Sequence, residues 1–224
     1  MRRILLFIAL SFSFSVFSQN EVNKSVGEFD TIKVFDLIEV EMIQSTEDRV
    51  VVSGRNVDEI KIVNDNGKLK IRMELDGRFD GSDTFVKVYF TGVKTIDANE
   101  GARITLAETL AQDDLELKAQ EGGKIKLTLA ATTLETKAVT GGIIEVEGTV
   151  HLNDISVNTG GVFNGKELES HTTKINVSAG GDAEIFATQK ADIKITAGGD
   201  VYVYGNPPEF KKKTVVGGRV YRIN

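Results

Sequence analysis

The sequence predicts an all-β protein: a single-stranded parallel β-helix with coils of about 19 residues, flanked or capped by an N-terminal β region that does not repeat. Three observations carry this. A glycine phrase returns seven times, as Glu100-Gly101-Ala102, Glu121-Gly122-Gly123, Thr140-Gly141-Gly142, Thr159-Gly160-Gly161, Ala179-Gly180-Gly181, Ala197-Gly198-Gly199 and Val216-Gly217-Gly218. The first glycines lie 21, 19, 19, 20, 18 and 19 residues apart. Apolar positions keep register with them. Three residues after the first glycine stand Ile104, Ile125, Ile144, Phe163, Ala183, Val201 and Val220; three before it stand Ala98, Ala119, Ala138, Val157, Val177, Ile195 and Thr214. Finally, no apolar stripe of helical period persists, and alternation of period two dominates.

Residues 1–18 read as a secretory signal peptide: Arg2 and Arg3, an apolar run from Ile4 to Val16, and small residues that suit cleavage after Ser18. The alternative, a membrane anchor, needs about 20 apolar residues, more than this run supplies. No second such run follows, so no integral span is expected after cleavage. Removing the two arginines takes the formal charge from −6 to −8. An acidic exported chain is repelled by nucleic acid and by anionic membranes. There is no cysteine. This excludes disulfides, thiolate metal sites, cysteine nucleophiles and the lipid-bearing cysteine of a bacterial lipoprotein.

Residues 19–95 read as strands and turns. Thr31–Val34, Ile38–Met42, Val50–Val52 and Phe85–Phe90 alternate or are β-branched, and Asn64-Asp65-Asn66-Gly67 sits between two apolar runs as a tight hairpin turn. A polar loop is expected over Asp76–Asp83. From residue 96 to 224 each repeat is a strand, a glycine corner and a second strand. One unit cannot bury its own apolar side, whereas stacked units bury a continuous core. The coil is expected to wind right-handed. A sharp corner calls for positive φ, which glycine adopts without a Cβ clash, and closely stacked corners leave little room for side chains. Antiparallel hairpins with Gly-Gly turns are the competing arrangement; the constancy of the columns favours stacking. The last repeat carries Lys212 and Thr214 at core positions, as a terminal coil does.

Three stretches resemble a known family. Gly27-Glu28-Phe29-Asp30-Thr31-Ile32 is similar to the opening motif of the head GIN domain family of auto-transporter adhesins; Phe85 through Val93 to Gly101 resembles its passage into the repeats; the Gly-Gly corners with Tyr202-Val203-Tyr204-Gly205-Asn206-Pro207 resemble its ending. The resemblance spans residues 27–224 and implies a β-helical exported domain, with no catalytic residues to carry over.

Candidate site residues are few. Asp182 and Asp200 stand two residues after the first glycine of neighbouring repeats and should stack, as a calcium site, a carboxylate pair for polysaccharide cleavage, or two solvated aspartates offset by Arg219. Two carboxylates fall short of the six to eight oxygens calcium takes, which favours the last. Tyr202 and Tyr204 alternate with Val201 and Val203, so they should face outward together, as an aromatic patch for sugar or as lateral packing. His151 and His171 show no ligand-like spacing, and surface placement is expected. Lys211-Lys212-Lys213 reads as a solvated edge that blocks strand pairing. No metal, cofactor or catalytic group is expected. The functional expectation is an exported, non-enzymatic module, periplasmic or on the cell surface, binding an envelope or host glycan, a lipid or a protein surface. A polysaccharide-active enzyme on the same fold and a dedicated lipid or envelope-glycan binder are the alternatives.

Overall fold

The computed structural model describes residues 21–74 and 80–223. The signal-peptide expectation and residues 75–79 of the polar loop lie outside the described residues. Among the described residues, seventeen strands form one continuous sheet wound into a β-solenoid of about seven turns. Its central strands are long: β11 (Lys124–Val139), β12 (Ile143–Asn158), β13 (Val162–Ser178) and β14 (Asp182–Ala197). Each runs from one glycine corner to the next and bends midway, so a coil has two faces. In β11 the buried residues are Ile125, Leu127 and Leu129 before the bend and Leu134, Thr136 and Ala138 after it. Alternation along an extended backbone sends these inward and the lysines between them outward.

Equivalent residues stack in parallel register. One column runs Ile96, Leu117, Thr136, Ile155, Ile175, Ile193. Thr136 is its flaw: it is 1% exposed and its hydroxyl has no hydrogen-bond partner among the described residues. An unpaired buried hydroxyl costs about 1–3 kcal/mol. Thr136→Val should therefore raise the melting temperature by about 2–4 °C for each 1 kcal/mol recovered in a chain of this size, read in a thermal melt; a lowered melt would mean the hydroxyl is satisfied in solution.

The first five repeat corners are four-residue turns closed by a backbone hydrogen bond, such as Gly142 N to Val139 O at 2.9 Å. Both central residues have positive φ: Thr140 at 50° and Gly141 at 73°. This is the type I′ pattern. The second glycine does a different job. A Cβ on Gly142 would overlap the Ala119 carbonyl of the preceding coil. Corners also bond along the axis, with Gly141 N donating to Thr159 O at 3.1 Å.

The N-terminal region does more than flank the repeats. β2 (Thr31–Val34) lies between β6 (Lys68–Met73) and β8 (Thr95–Ala98), all parallel. β3 (Glu39–Gln44) lies between β7 (Thr84–Phe90) and β9 (Arg103–Leu106). The pairs β2–β3 and β6–β7 are thus two further levels of the solenoid, stacked out of chain order. They extend its columns, with Ile32 paired to both Leu69 and Ile96. The chain turns antiparallel only at the very end. β5 (Ile60–Asp65) pairs with β6 through the Asn66-Gly67 turn, β4 (Arg49–Gly54) with β7, and β1 (Val22–Ser25) with β4. Lys24 Nζ donates to Ile62 O and Asn64 Nδ2 to Val26 O and Glu28 O, tying the two edges together across that end.

Among the described residues the opposite end is open. β15 (Asp200–Tyr204) and the last pair, β16 (Glu209–Val216) and β17 (Arg219–Arg222), stay parallel, and β16 and β17 have no strand beyond them among the described residues. Val215 and Val216 are exposed there.

Candidate functional site

The outward columns hold the polar chemistry, and neighbouring coils largely neutralise one another. Lys126 pairs with Glu145 at 3.6 Å, Lys174 with Asp154 at 2.8 Å, and Arg103 with Glu39 at 3.8 Å. The hydrogen bond from Lys174 to Asp154 holds the Lys174 ammonium above its usual range. Asp97 is wholly buried, and it accepts from Lys33 at 2.7 Å, Asn99 at 3.0 Å and Gln120 at 3.1 Å.

Asp182 and Asp200 do stack, on β14 and β15. Asp182 Oδ1 accepts the Asp200 backbone N–H at 2.9 Å, and Asp200 takes both Arg219 Nε and Nη2 at 2.9 and 2.6 Å. That fork raises the Arg219 guanidinium above its ordinary range through the hydrogen bonds and charge of Asp200. Among the described residues no group of three or more His, Asp or Glu side chains is placed to hold a metal ion.

Tyr202 and Tyr204 face outward from β15, half-buried. Tyr202 stacks on Tyr221 of the next coil at 4.8 Å and 12°. Tyr204 donates to Glu184 at 3.2 Å, and burial followed by the Glu184 charge pushes its phenol up. In-register aromatics cover one another's faces, so this patch shows ring edges and hydroxyls to a ligand more than open faces.

The structure also brings together residues that their sequence spacing kept apart. His151 and His171 occupy the bends of consecutive coils, exposed, with rings stacked at 4.5 Å. Their separation of 20 residues is one coil, and applying the glycine period to the bends would have paired them. Two cavities open on the N-terminal half. One, of about 1150 Å³, lies along Asp30, Lys94, Asp113, Asp114, Glu116 and Glu135. The other, of about 480 Å³, lies between the Phe35–Leu37 corner and the β5–β6 hairpin, and its charged lining is Asp36, Lys61, Lys70, Arg72 and Glu100. Asp36 and Leu37 have φ of 59° and 62°. This is the same corner as in the repeats, built without glycine, which is why the glycine ladder did not reveal it. No helix among the described residues is long and apolar enough to cross a membrane.

A family model described as "Putative auto-transporter adhesin, head GIN domain" matches residues 28–207. No curated protein matches the chain. Among solved structures, a Bacteroides fragilis protein described as a putative adhesin superposes with a TM-score of 0.83 at 16% identity, covering 92% of this chain and 98% of that one. A putative adhesin from Parabacteroides merdae gives 0.71 at 17%, covering 92% and 96%. A protein from Parabacteroides distasonis described as a putative lipid binding protein gives 0.71 at 17%, covering 92% and 97%. At these identities the likeness is one of fold.

Proposed function

Because this chain belongs to the head GIN domain family of auto-transporter adhesins, we propose that it is an exported, non-enzymatic binding module, released from its signal peptide after Ser18 and acting in the periplasm or at the cell surface. The observation that carries the reading is how the fold divides its chemistry. Apolar columns fill the interior, while charged and polar groups stand on two outward faces held by backbone ladders on every level. Such faces suit recognition of an extended partner, because ordering them costs little on binding. On this reading Tyr202, Tyr204, Asp182 and Asp200 form a hydrogen-bonding contact patch on the last coils. A glycan fits its hydroxyls and carboxylates. A lipid headgroup is the second reading, favoured by the lipid-binding description of the Parabacteroides distasonis relative.

The test is to screen the purified protein against envelope and host glycans and against lipid vesicles, measuring retention and chain cleavage together. Saturable retention without cleavage is expected. Glycan depolymerisation that disappears in Asp182→Ala or Asp200→Ala would overturn the binding-only reading and favour a polysaccharide-active enzyme.

A further inference from the structure

The corner between β2 and β3 differs from the repeat corners in what it does with its side chains. Leu37 stands where they have glycine, although left-handed backbone costs an L-residue about 1–2 kcal/mol. Such conformations persist only where the surroundings hold them. The residue before it, Asp36, is 2% exposed. Its Oδ2 accepts the Met73 N–H at 3.0 Å, but its Oδ1 has no hydrogen-bond partner among the described residues. Leaving a carboxylate oxygen dry and unpaired is unfavourable, so a hydrogen-bond donor supplied at that point is bound favourably.

Asp36 lines the 480 Å³ cavity, a volume within the roughly 300–1,000 Å³ typical of small-molecule sites. On the hairpin side stand Lys61, Lys70 and Arg72, and Glu100, already engaged in an interaction of its own, lines the same cavity. Lys61 already pairs with Glu74 at 3.6 Å. Lys70 and Arg72 make no ion pair with any described residue. They are two apart on β6, flanking the buried Ile71, so both project outward on one face. Val63 adds a partly exposed apolar edge to the same cavity. The site therefore asks for two things at once: an anion for Lys70 and Arg72, and a hydrogen-bond donor for Asp36. A bare anion leaves Asp36 unsatisfied, and a neutral sugar leaves the cations unused.

We propose that this cavity binds an anionic sugar, its carboxylate or phosphate held by Lys70 and Arg72 and a neighbouring hydroxyl donating to Asp36 Oδ1. The proposal rests on the reading of the chain as a binding module and adds to the patch on the last coils a second site, with the ligand chemistry it takes. Two sources share this chemistry, a uronic acid residue of a glycan and a phosphorylated sugar of an envelope lipid.

The experiment is calorimetric titration of the purified protein with a galacturonate trimer, glucose 1-phosphate, glucose and inorganic phosphate. Saturable binding of the trimer or of glucose 1-phosphate, at least tenfold tighter than glucose or inorganic phosphate, is expected, and the better of the two identifies the source. The Lys70→Gln/Arg72→Gln double variant changes only outward side chains of a surface hairpin and should weaken that binding at least tenfold. Asp36→Asn should narrow the preference for glucose 1-phosphate over inorganic phosphate. The proposal is overturned if neither anionic sugar saturates, or if the double variant binds as the unaltered protein does. Should the pocket fail in this way while glycans or vesicles are still retained, the binding-module reading stands and only this site falls. Loss of all retention would remove both.

Discussion

Replacing Gly141 and Gly142 together with valine is expected to lower the melting temperature by about 10–20 °C, from a loss of roughly 5 kcal/mol at about 2–4 °C per kcal/mol. The two positions fail for different reasons, and single alanine variants separate them. At Gly141 φ is 73° and nothing lies within 4 Å of an added Cβ. Only the backbone conformation objects, at about 1–2 kcal/mol. At Gly142 φ is unremarkable, but the Cβ would run into the carbonyl of Ala119 and the backbone of Gln120. Those atoms belong to the ladder of the neighbouring coil and cannot step aside as a flexible side chain can. Gly142→Ala should therefore cost clearly more than Gly141→Ala, by about 2 kcal/mol or more, because relieving the overlap breaks interstrand hydrogen bonds. Equal melts for the two single variants would show that conformation, not close stacking, fixes the corner.

The pair also shows what was legible in the sequence. Both demands wrote the same letter, so the period, the corner and the apolar columns could all be read from one recurring phrase. In the first five corners the other left-handed residue left no mark: Glu100, Glu121, Thr140, Thr159 and Ala179 all sit near φ of 50°, and nothing in their chemistry announces it; in the last two both left-handed residues are glycines, Gly198-Gly199 and Gly217-Gly218. For the same reason the two N-terminal levels escaped notice. The corner of the β2–β3 level is Asp36-Leu37, and the stacking partners of both levels are interleaved along the chain, so no fixed spacing exists to find. The candidate sites followed suit. Asp182, Asp200 and Arg219 could be aligned because they keep step with the glycines. The Asp36 cavity could not, since Asp36 and the basic residues of β6 lie more than 30 positions apart and meet only because β2 docks on β6.

The open end of the solenoid sets the last expectation: a Lys212→Ile/Arg222→Leu variant should self-associate far more strongly than the unaltered protein, by roughly a thousandfold in association constant. Lys212 continues the column of Ile193, and Arg222 that of Val203. At these core positions the final coil presents charge, both residues being exposed, while the guanidinium of Arg222 lies over the Phe210 ring at 4.8 Å and bonds Asn206. Their stems cover the last apolar layer and their charged ends stay in water. Any strand that docked on β16 or β17 would have to take both charges out of water without partners, at several kcal/mol each. This is protection of an edge by inward-pointing charge. Substituting isoleucine and leucine removes that cost and adds about 1.5–3 kcal/mol of apolar burial per side chain. A net swing of about 4 kcal/mol, the lower end of these contributions together, corresponds to three powers of ten, since the cost of association is common to both proteins and cancels. Light scattering on a concentration series should show the variant moving to dimers or longer species while the unaltered chain keeps its mass. The neutral control is Lys211→Gln, because Lys211 stands opposite Asp192 in the strand register, on the outward column, and guards no core position. If the double variant scatters like the control, the ends are kept apart by the exposed strand edges themselves and not by the charge placed at the end of the core.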